Sequence, residues 1–235
     1  KITGKRISAI IPVHVWGNAV EFDELIDICH NHNIIVIEDA TEALGTRYIK
    51  GKYKGMHAGT IGSFGCLSFN GNKIITCGGG GMILTGNKEL AMKARYLTTQ
   101  AKDDPVKYIH NEVGYNYRLN NVQAAIGLAQ CEALSKVIKI KNGIHKSYKK
   151  EIKNIKGCKI ADTPMYSKNN NWINILKLNN DIFSKNIEDL YMEFENNSIQ
   201  TRPVWYLNHL QFPFKNCQSY HIDKAEDLIK KSLCM

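Results

Sequence analysis

The stretch SFNGNKIITCGGGGMIL, Ser68 to Leu84, sets one lysine, Lys73, between a Ser-Phe pair and four consecutive glycines, Gly78 to Gly81. A loop amine has three ordinary uses: a solvated surface cation, the partner of a carboxylate, or a nucleophile that forms a Schiff base with a carbonyl. For a lone loop lysine, exposure is the default, since lysine is mostly a surface residue. A second feature changes the weighing. The apolar run Ile34-Ile35-Val36-Ile37 ends in two carboxylates, Glu38 and Asp39. In parallel α/β sheets, ligands bind beyond the carboxyl ends of the strands. Asp39 lies at such an end, and Lys73 lies in the connection after another. Two phosphate-binding motifs fail here. A phosphate loop needs Gly-Lys-Ser/Thr at its close, and here the lysine precedes the glycines. The dinucleotide fingerprint G-x-G-x-x-G is absent between the first strand and its helix.

The elements that must hold these residues alternate strand and helix over the first hundred positions. ISAIIPVHV, Ile7 to Val15, is a β-branched apolar run and predicts a strand. Glu21 to Asn33 carries Phe22, Leu25, Ile26 and Cys29 at helical spacing. Ile34 to Ala40 predicts the next strand, parallel to the first across a right-handed crossover. Short apolar runs at Cys66–Phe69 and Met82–Leu84 flank the lysine loop, and Lys88–Leu97 predicts a helix. The pattern implies an α/β fold with helices on the faces of a mainly parallel sheet. Asn120 to Asn154 predicts a long helix with a break at Asn142-Gly143. Beyond it the composition changes to short strands around an Asn-rich turn. A helix follows from Ser184, an N-cap candidate, to Asn197, and KAEDLIKKSL predicts the start of another. The expected organisation is two domains, residues 1–154 and residues 155–235, the second a smaller α+β domain.

Composition narrows the function classes. The chain has 235 residues, 43% hydrophobic and 23% charged, with a formal net charge of +9. The lysines are scattered, with a mild concentration at Lys136–Lys156 that reads as a solvated helix face, so nucleic acid is not the expected partner. A basic chain suits anionic substrates equally well. No apolar run approaches the roughly 20 residues that cross a bilayer, so no membrane association is expected. The seven cysteines include no C-x-x-C pair, which points away from a disulfide framework and from a zinc site. No metal is expected, and the free thiols fit a reducing cytoplasm. The start at Lys1 and the close on KKSLCM predict an interior piece of a longer protein.

Pyridoxal phosphate fits the residue set. It needs a lysine to hold its aldehyde as an imine, an acid to keep its ring nitrogen protonated, and hydroxyl and backbone N–H groups for its phosphate. Lys73, Asp39 and Ser68 are of the right types. The glycines let the backbone turn through positive φ beside a ligand.

In IIPVHVWGN, IIVIEDATEALGT, GSFGCLSFNGNKIITCGGGGMI, NEVGYNYRLNNVQAAIGLAQ and QTRPVWYLNH, in this order, the chain resembles the DegT/DnrJ/EryC1/StrS sugar aminotransferases along nearly its whole length. The resemblance implies a pyridoxal-phosphate-dependent type I fold. NGNKIITCGGGG, TTQAKDD and GYNYRLNNVQAA look most like the branch acting on UDP-linked 4-keto-6-deoxy-N-acetylhexosamines, of the legionaminic-acid and bacillosamine type, in surface-glycan synthesis. By this resemblance Lys73 is the cofactor lysine and the acid/base that moves the proton. Asp39 is the ring-nitrogen partner, and Ser68 binds the phosphate. Asn116 reaches the cofactor phosphate of a neighbouring subunit, which implies a homodimer with shared sites.

Two positions depart from the family's pattern. Glu42 stands where many members carry glutamine near the ring hydroxyl, and Gly79 stands where many carry glutamate. Arg202, Trp205 and His209 suit contact with a nucleotide sugar, and packing in a small-domain strand is nearly as good a reading. Tyr115, Tyr117 and Arg118 divide evenly between packing and site roles, and His14 is expected to orient the chain near the cofactor. The family's stretch ahead of IIPVHV, with its phosphate-gripping loop and ring-stacking aromatic, is not in this sequence. The expected reaction takes an amino group from an amino acid, expected to be glutamate, to the 4-keto carbon of the sugar. The alternatives are a pyridoxal-phosphate sugar dehydratase, whose lysine is typically replaced by histidine, and a non-catalytic member that only dimerises or binds ligand.

Overall fold

The computed structural model describes residues 4–235; residues 1–3, the start of the expected first domain, lie outside the described residues. The chain divides into two compact units. The first runs to Lys141 and takes back Thr163–Trp172; the second comprises Asn142–Asp162 and Ile173–Met235. The sequence reading placed the change of domain near residue 155.

The first unit is built on a four-stranded sheet. Its strands are β1 (Ala9–Ile10), β2 (Ile35–Asp39), β4 (Phe64–Ser68) and β5 (Gly81–Leu84), in the order β1-β2-β4-β5. β1, β2 and β4 are parallel, and β5 returns antiparallel to β4 with Ser68 opposite Gly81. Helix α1 (Asp23–Asn31) makes the crossover from β1 to β2. β3 (Arg47–Tyr48) pairs antiparallel with β7 (Ser167–Lys168), which ties the returning segment to this unit. Helix α2 (Lys88–Thr98) starts at Asn87, whose side chain accepts the Leu90 N–H at 3.0 Å.

The strand expected over Ile7–Val15 is shorter. Only Ala9–Ile10 pair continuously, with an isolated bridge from Val13 to Asp39, before the chain turns through a 3-10 segment at Val15–Gly17. The turn uses positive φ at Trp16 (56°) and Gly17 (80°), which strand geometry excludes.

Helix α3 (Asn121–Ile152) runs unbroken through Asn142-Gly143. A single interior glycine weakens a helix by about 1 kcal/mol, too little to break one this long. All of the lysines from Lys136 to Lys156 except Lys141 are exposed, as a solvated face requires.

The second unit holds an antiparallel sheet ordered β6-β8-β10-β9, formed by β6 (Cys158–Ile160), β8 (Ile175–Leu178), β10 (Ser232–Cys234) and β9 (Arg202–Pro203). Helix α4 (Ile187–Asn196) is capped by Asn186, which accepts the Asp189 N–H at 2.8 Å, and not by Ser184. The stretch expected to open one last helix instead divides into α5 (Asp223–Ile229) and β10. Ile160, Leu176, Leu178, Ile187, Leu190 and Leu233 form the core of this unit.

All seven cysteines are free thiols. Among the described residues, no helix is long and apolar enough to cross a membrane, and no cluster of His, Cys, Asp or Glu could hold a metal ion.

Candidate active site

The lysine loop, residues 69–80, joins β4 to β5 and is bound at both ends. The Phe69 N–H donates to the Gly80 carbonyl at 3.0 Å, and the Cys77 N–H donates to the Phe69 carbonyl at 3.2 Å. Phe69, Ile75 and Cys77 are buried in one cluster with Ala40, Ala43, Ala58 and Leu67. Apolar residues on both sides of Lys73 thus seat the loop in the core, while Gly78 (φ 85°) and Gly80 (φ 82°) make the return. The Lys73 N–H closes a turn onto the Asn70 carbonyl at 3.1 Å.

The Lys73 side chain is only 14% exposed, so the default expectation of a solvated loop lysine does not hold. Its Nζ lies 3.8 Å from Glu42 Oε1 and 4.3 Å from the centre of the Trp172 ring. A carboxylate and an aromatic face are both favourable neighbours for an ammonium. Glu42 is itself held, because its Oε2 accepts the Trp16 N–H at 2.6 Å.

Asn170 joins three stretches of backbone. Its Nδ2 donates to the Glu42 carbonyl at 2.8 Å and to the Leu44 carbonyl at 3.1 Å. Its N–H donates to Thr46 Oγ1 at 3.1 Å, and that hydroxyl donates to the Gly17 carbonyl at 2.8 Å. Gly17 sits so close that a Cβ there would fall 2.2 Å from Asn170 Oδ1.

Strand alternation sends the two carboxylates of β2 to opposite faces. Glu38 is wholly buried, and both of its oxygens accept two hydrogen bonds. Oε1 takes the N–H groups of Ile61 (2.5 Å) and Gly62 (2.6 Å); Oε2 takes Gly59 N–H (2.7 Å) and His14 Nε2 (2.9 Å). His14 Nδ1 accepts the Val20 N–H at 3.0 Å, so Nε2 carries the proton that is shared with Glu38. Burial raises the Glu38 pKa, and the hydrogen bonds from His14, Gly62, Gly59 and Ile61 together outweigh it, so the carboxyl lies below its ordinary value.

Asp39 faces the other way and is half-buried, its Oδ1 accepting the Thr41 N–H at 3.2 Å. Burial and the Asp39 carboxylate raise the pKa of its cross-strand neighbour Cys66, so that thiol stays protonated.

Of the residues singled out from the sequence, the structure brings Lys73 and Glu42 together. Ser68 ends β4 and opens the lysine loop, its Oγ accepting the Asn70 N–H at 3.3 Å. Asp39 ends the adjoining strand, paired with Cys66 of β4. Asn116 is exposed and bridges to Thr99; its sequence neighbours Tyr115 and Tyr117 stack on each other with ring centres 5.1 Å apart. Arg202, Trp205 and His209 belong to the second unit; Arg202 and Trp205 are exposed, and His209 Nε2 is 3.3 Å from Glu226 Oε1.

Sequence reading missed Asn170 and Trp172 because NNNW looks like an Asn-rich turn. The tryptophan closing that run was the available signal, since a turn on the surface rarely spends so large an apolar side chain.

The donor set suits pyridoxal phosphate. A nearly buried amine, a strand-end carboxylate on the adjoining strand and a serine at the head of a glycine loop are the groups its aldehyde, ring nitrogen and phosphate require. Asp39, Ser68 and Lys73 are the residues that would hold it.

Comparison with known proteins identifies relatives along the whole chain. A Bacillus subtilis relative, described as the putative pyridoxal phosphate-dependent aminotransferase EpsN, is 36% identical over 239 residues, covering 100% of this chain and 60% of the relative. The GDP-perosamine synthase of Caulobacter vibrioides is 32% identical over 223 residues, covering 94% of this chain and 58% of its own length. The crystal structure of DesI in the presence of its TDP-sugar product matches with a TM-score of 0.88 at 24% identity, over 97% of this chain and 57% of that one.

The chain therefore spans about 60% of the length of these curated relatives. Its architecture is part of the type I fold of pyridoxal-phosphate-dependent transferases, as the resemblance implied. Residues 1–235 match the DegT/DnrJ/EryC1/StrS aminotransferase family, whose cofactor is pyridoxal phosphate, and the chain belongs to that family.

Proposed function

We propose that the protein is a pyridoxal-phosphate-dependent aminotransferase. It moves an amino group from an amino acid, glutamate in our reading, to the 4-keto carbon of a nucleotide-linked 4-keto-6-deoxy sugar destined for a surface glycan. The observation that carries this reading is the amine of Lys73, 14% exposed and set against Glu42 and Trp172, in a chain matched throughout by an aminotransferase family. The GDP-perosamine synthase relative, named for making a nucleotide-linked amino sugar, supports the substrate class. UDP is the nucleotide we favour, from the resemblance of the lysine loop and of GYNYRLNNVQAA.

When bound, pyridoxal phosphate supplies an aldehyde to carry the amino group and a ring that draws electron density from the reacting carbon. Lys73 is the residue that would hold that aldehyde through Nζ, and its amine would serve as the acid and base for the proton at the amino-bearing carbon. The loop keeps the amine in place while it does so, because Phe69, Ile75 and Cys77 are seated in the core. Asp39 holds the proton on the ring nitrogen. Ser68 donates to the phosphate from the head of the same loop. Glu42 orients the lysine and the ring hydroxyl. Asn116 reaches the phosphate bound by a second copy of the chain, and the protein acts as a homodimer in the cytoplasm. Arg202, Trp205 and His209 hold the nucleotide sugar, Arg202 by charge and Trp205 by stacking.

The test is an absorbance spectrum of the protein with pyridoxal phosphate, followed by borohydride reduction and peptide mapping. The expected result is cofactor fixed to the peptide containing Lys73, and consumption of glutamate on addition of a UDP-4-keto sugar. Cofactor fixed at no lysine, with no amino transfer, favours the non-catalytic alternative.

A further inference from the structure

We propose that Trp172 is a positioning residue for Lys73, its ring face holding the lysine Nζ in place. The inference rests on the reading of Lys73 as the reactive amine. Trp172 closes the segment Thr163–Trp172, which the chain returns to the first unit. That segment is firmly fastened. Its β7 strand pairs with β3, and the Tyr166 hydroxyl donates to the Ala19 carbonyl at 2.9 Å. Tyr166 also stacks on Tyr48, with ring centres 6.4 Å apart.

The indole is 5% exposed and makes two contacts with the lysine loop. Its Nε1–H donates to the carbonyl of Asn72 at 2.7 Å, the residue immediately before Lys73. Its ring face lies 4.3 Å from Lys73 Nζ. One side chain therefore fixes both the backbone that carries the lysine and the head group at the end of it. The tryptophan is fixed in turn, because its backbone N–H donates to Asn170 Oδ1 at 3.0 Å and Asn170 is wholly buried.

A lysine side chain has four rotatable bonds and loses substantial rotamer entropy when ordered. An aromatic face in contact with the ammonium favours one of those arrangements over the solvated ones. Glu42 supplies a second contact at 3.8 Å, longer than a hydrogen bond, so it does not fix the head group alone.

The test compares W172F with W172L in the full chain. Both lose the Nε1–H and both remain large and apolar, so they differ in the aromatic face; thermal midpoints confirm that both fold. The cofactor-free protein is acetylated briefly with an N-hydroxysuccinimide ester, and Lys73 labelling is measured by mass spectrometry against Lys150, whose side chain is 84% exposed. In the wild type Lys73 is expected to label more slowly than Lys150. W172L is expected to raise Lys73 labelling by about fivefold, and W172F to stay within about twofold of wild type, the range a cation–π contact spans. The rate of borohydride-fixed incorporation of pyridoxal phosphate at Lys73 should fall in the order wild type, W172F, W172L. Equal Lys73 labelling in W172F and W172L overturns the proposal. Failure of the wild type to fix pyridoxal phosphate on Lys73 overturns the aminotransferase reading instead, and leaves the labelling comparison standing on its own.

Discussion

The first unit buries a hydrogen-bonded set of polar side chains, whereas the main core cluster of the second unit is aliphatic. His14, Glu38, Thr46 and Asn170 are each 0% exposed and tied to one another's surroundings by directed hydrogen bonds. Ile160, Leu176, Leu178, Ile187, Leu190 and Leu233 pack by apolar contact within the second unit. The difference is physical. A hydrogen bond fixes distance and angle, and an unmade one in the interior costs its full desolvation. Apolar burial is non-directional and tolerates small shifts. A site that must hold an amine, a carboxylate and a hydroxyl in register gains from the first kind of interior.

The sharpest test of that contrast is Lys73 itself. K73A should reduce amino transfer by about 10⁴-fold or more, since it removes both the covalent anchor and the proton carrier. Its thermal midpoint should stay close to wild type, because Phe69, Ile75 and Cys77 seat the loop in the core without the lysine side chain. Activity retained in K73A would break the functional reading of the polar interior.

Glu38 tests the polar interior as structure. E38A leaves His14 and three backbone N–H groups without their acceptor, and should cost about 3–5 kcal/mol in urea unfolding. E38Q should rescue only part, because an amide nitrogen must then face two of those donors. The pH dependence follows from the direction of the shift. A carboxyl held below its ordinary value in the folded chain contributes stability that is fully present above the ordinary carboxylate range. That contribution is lost as pH falls through the folded value, so wild-type stability should fall on acidification below about pH 4.5 and E38Q should lose less there.

Leu233, 0% exposed in the middle of β10, tests the other kind of interior. L233A should cost about 2–4 kcal/mol through lost burial and a residual cavity, and should leave pyridoxal phosphate incorporation at Lys73 unchanged. A large effect on incorporation would mean that the apolar core also sets the site.

The smallest effect is expected at Gly17. G17A places a Cβ against Asn170 Oδ1 at a backbone φ of 80°, which should cost about 1–3 kcal/mol by thermal melting. A melt unchanged from wild type would show that the Asn170 contacts yield easily.

Much of this was legible in the residues. The run Ile34-Ile35-Val36-Ile37 with its terminal carboxylates gave β2, and helical spacing gave α1, because burial on one face writes its period into the sequence. The order of the chemical groups along the chain carried the family. Other features were not legible, since each depends on residues remote in sequence. The truncation of the first strand comes from a turn held by Glu42. The last helix gives way to β10 because β8 and β9 offer it paired edges.

By itself, the sequence determined that Asp39, Ser68 and Lys73 are present, in this order, at or just beyond the ends of strands that must form a parallel pair, since β-branched runs alternating with amphipathic helices admit few other packings. Only the tertiary structure decided that the lysine is buried rather than solvated. That depends on Glu42 and on Trp172, which lies 99 positions further along the chain than Lys73 and meets it only because β7 pairs back onto β3. Local pattern records which face of an element is apolar; it does not record which distant side chain will cover a given amine.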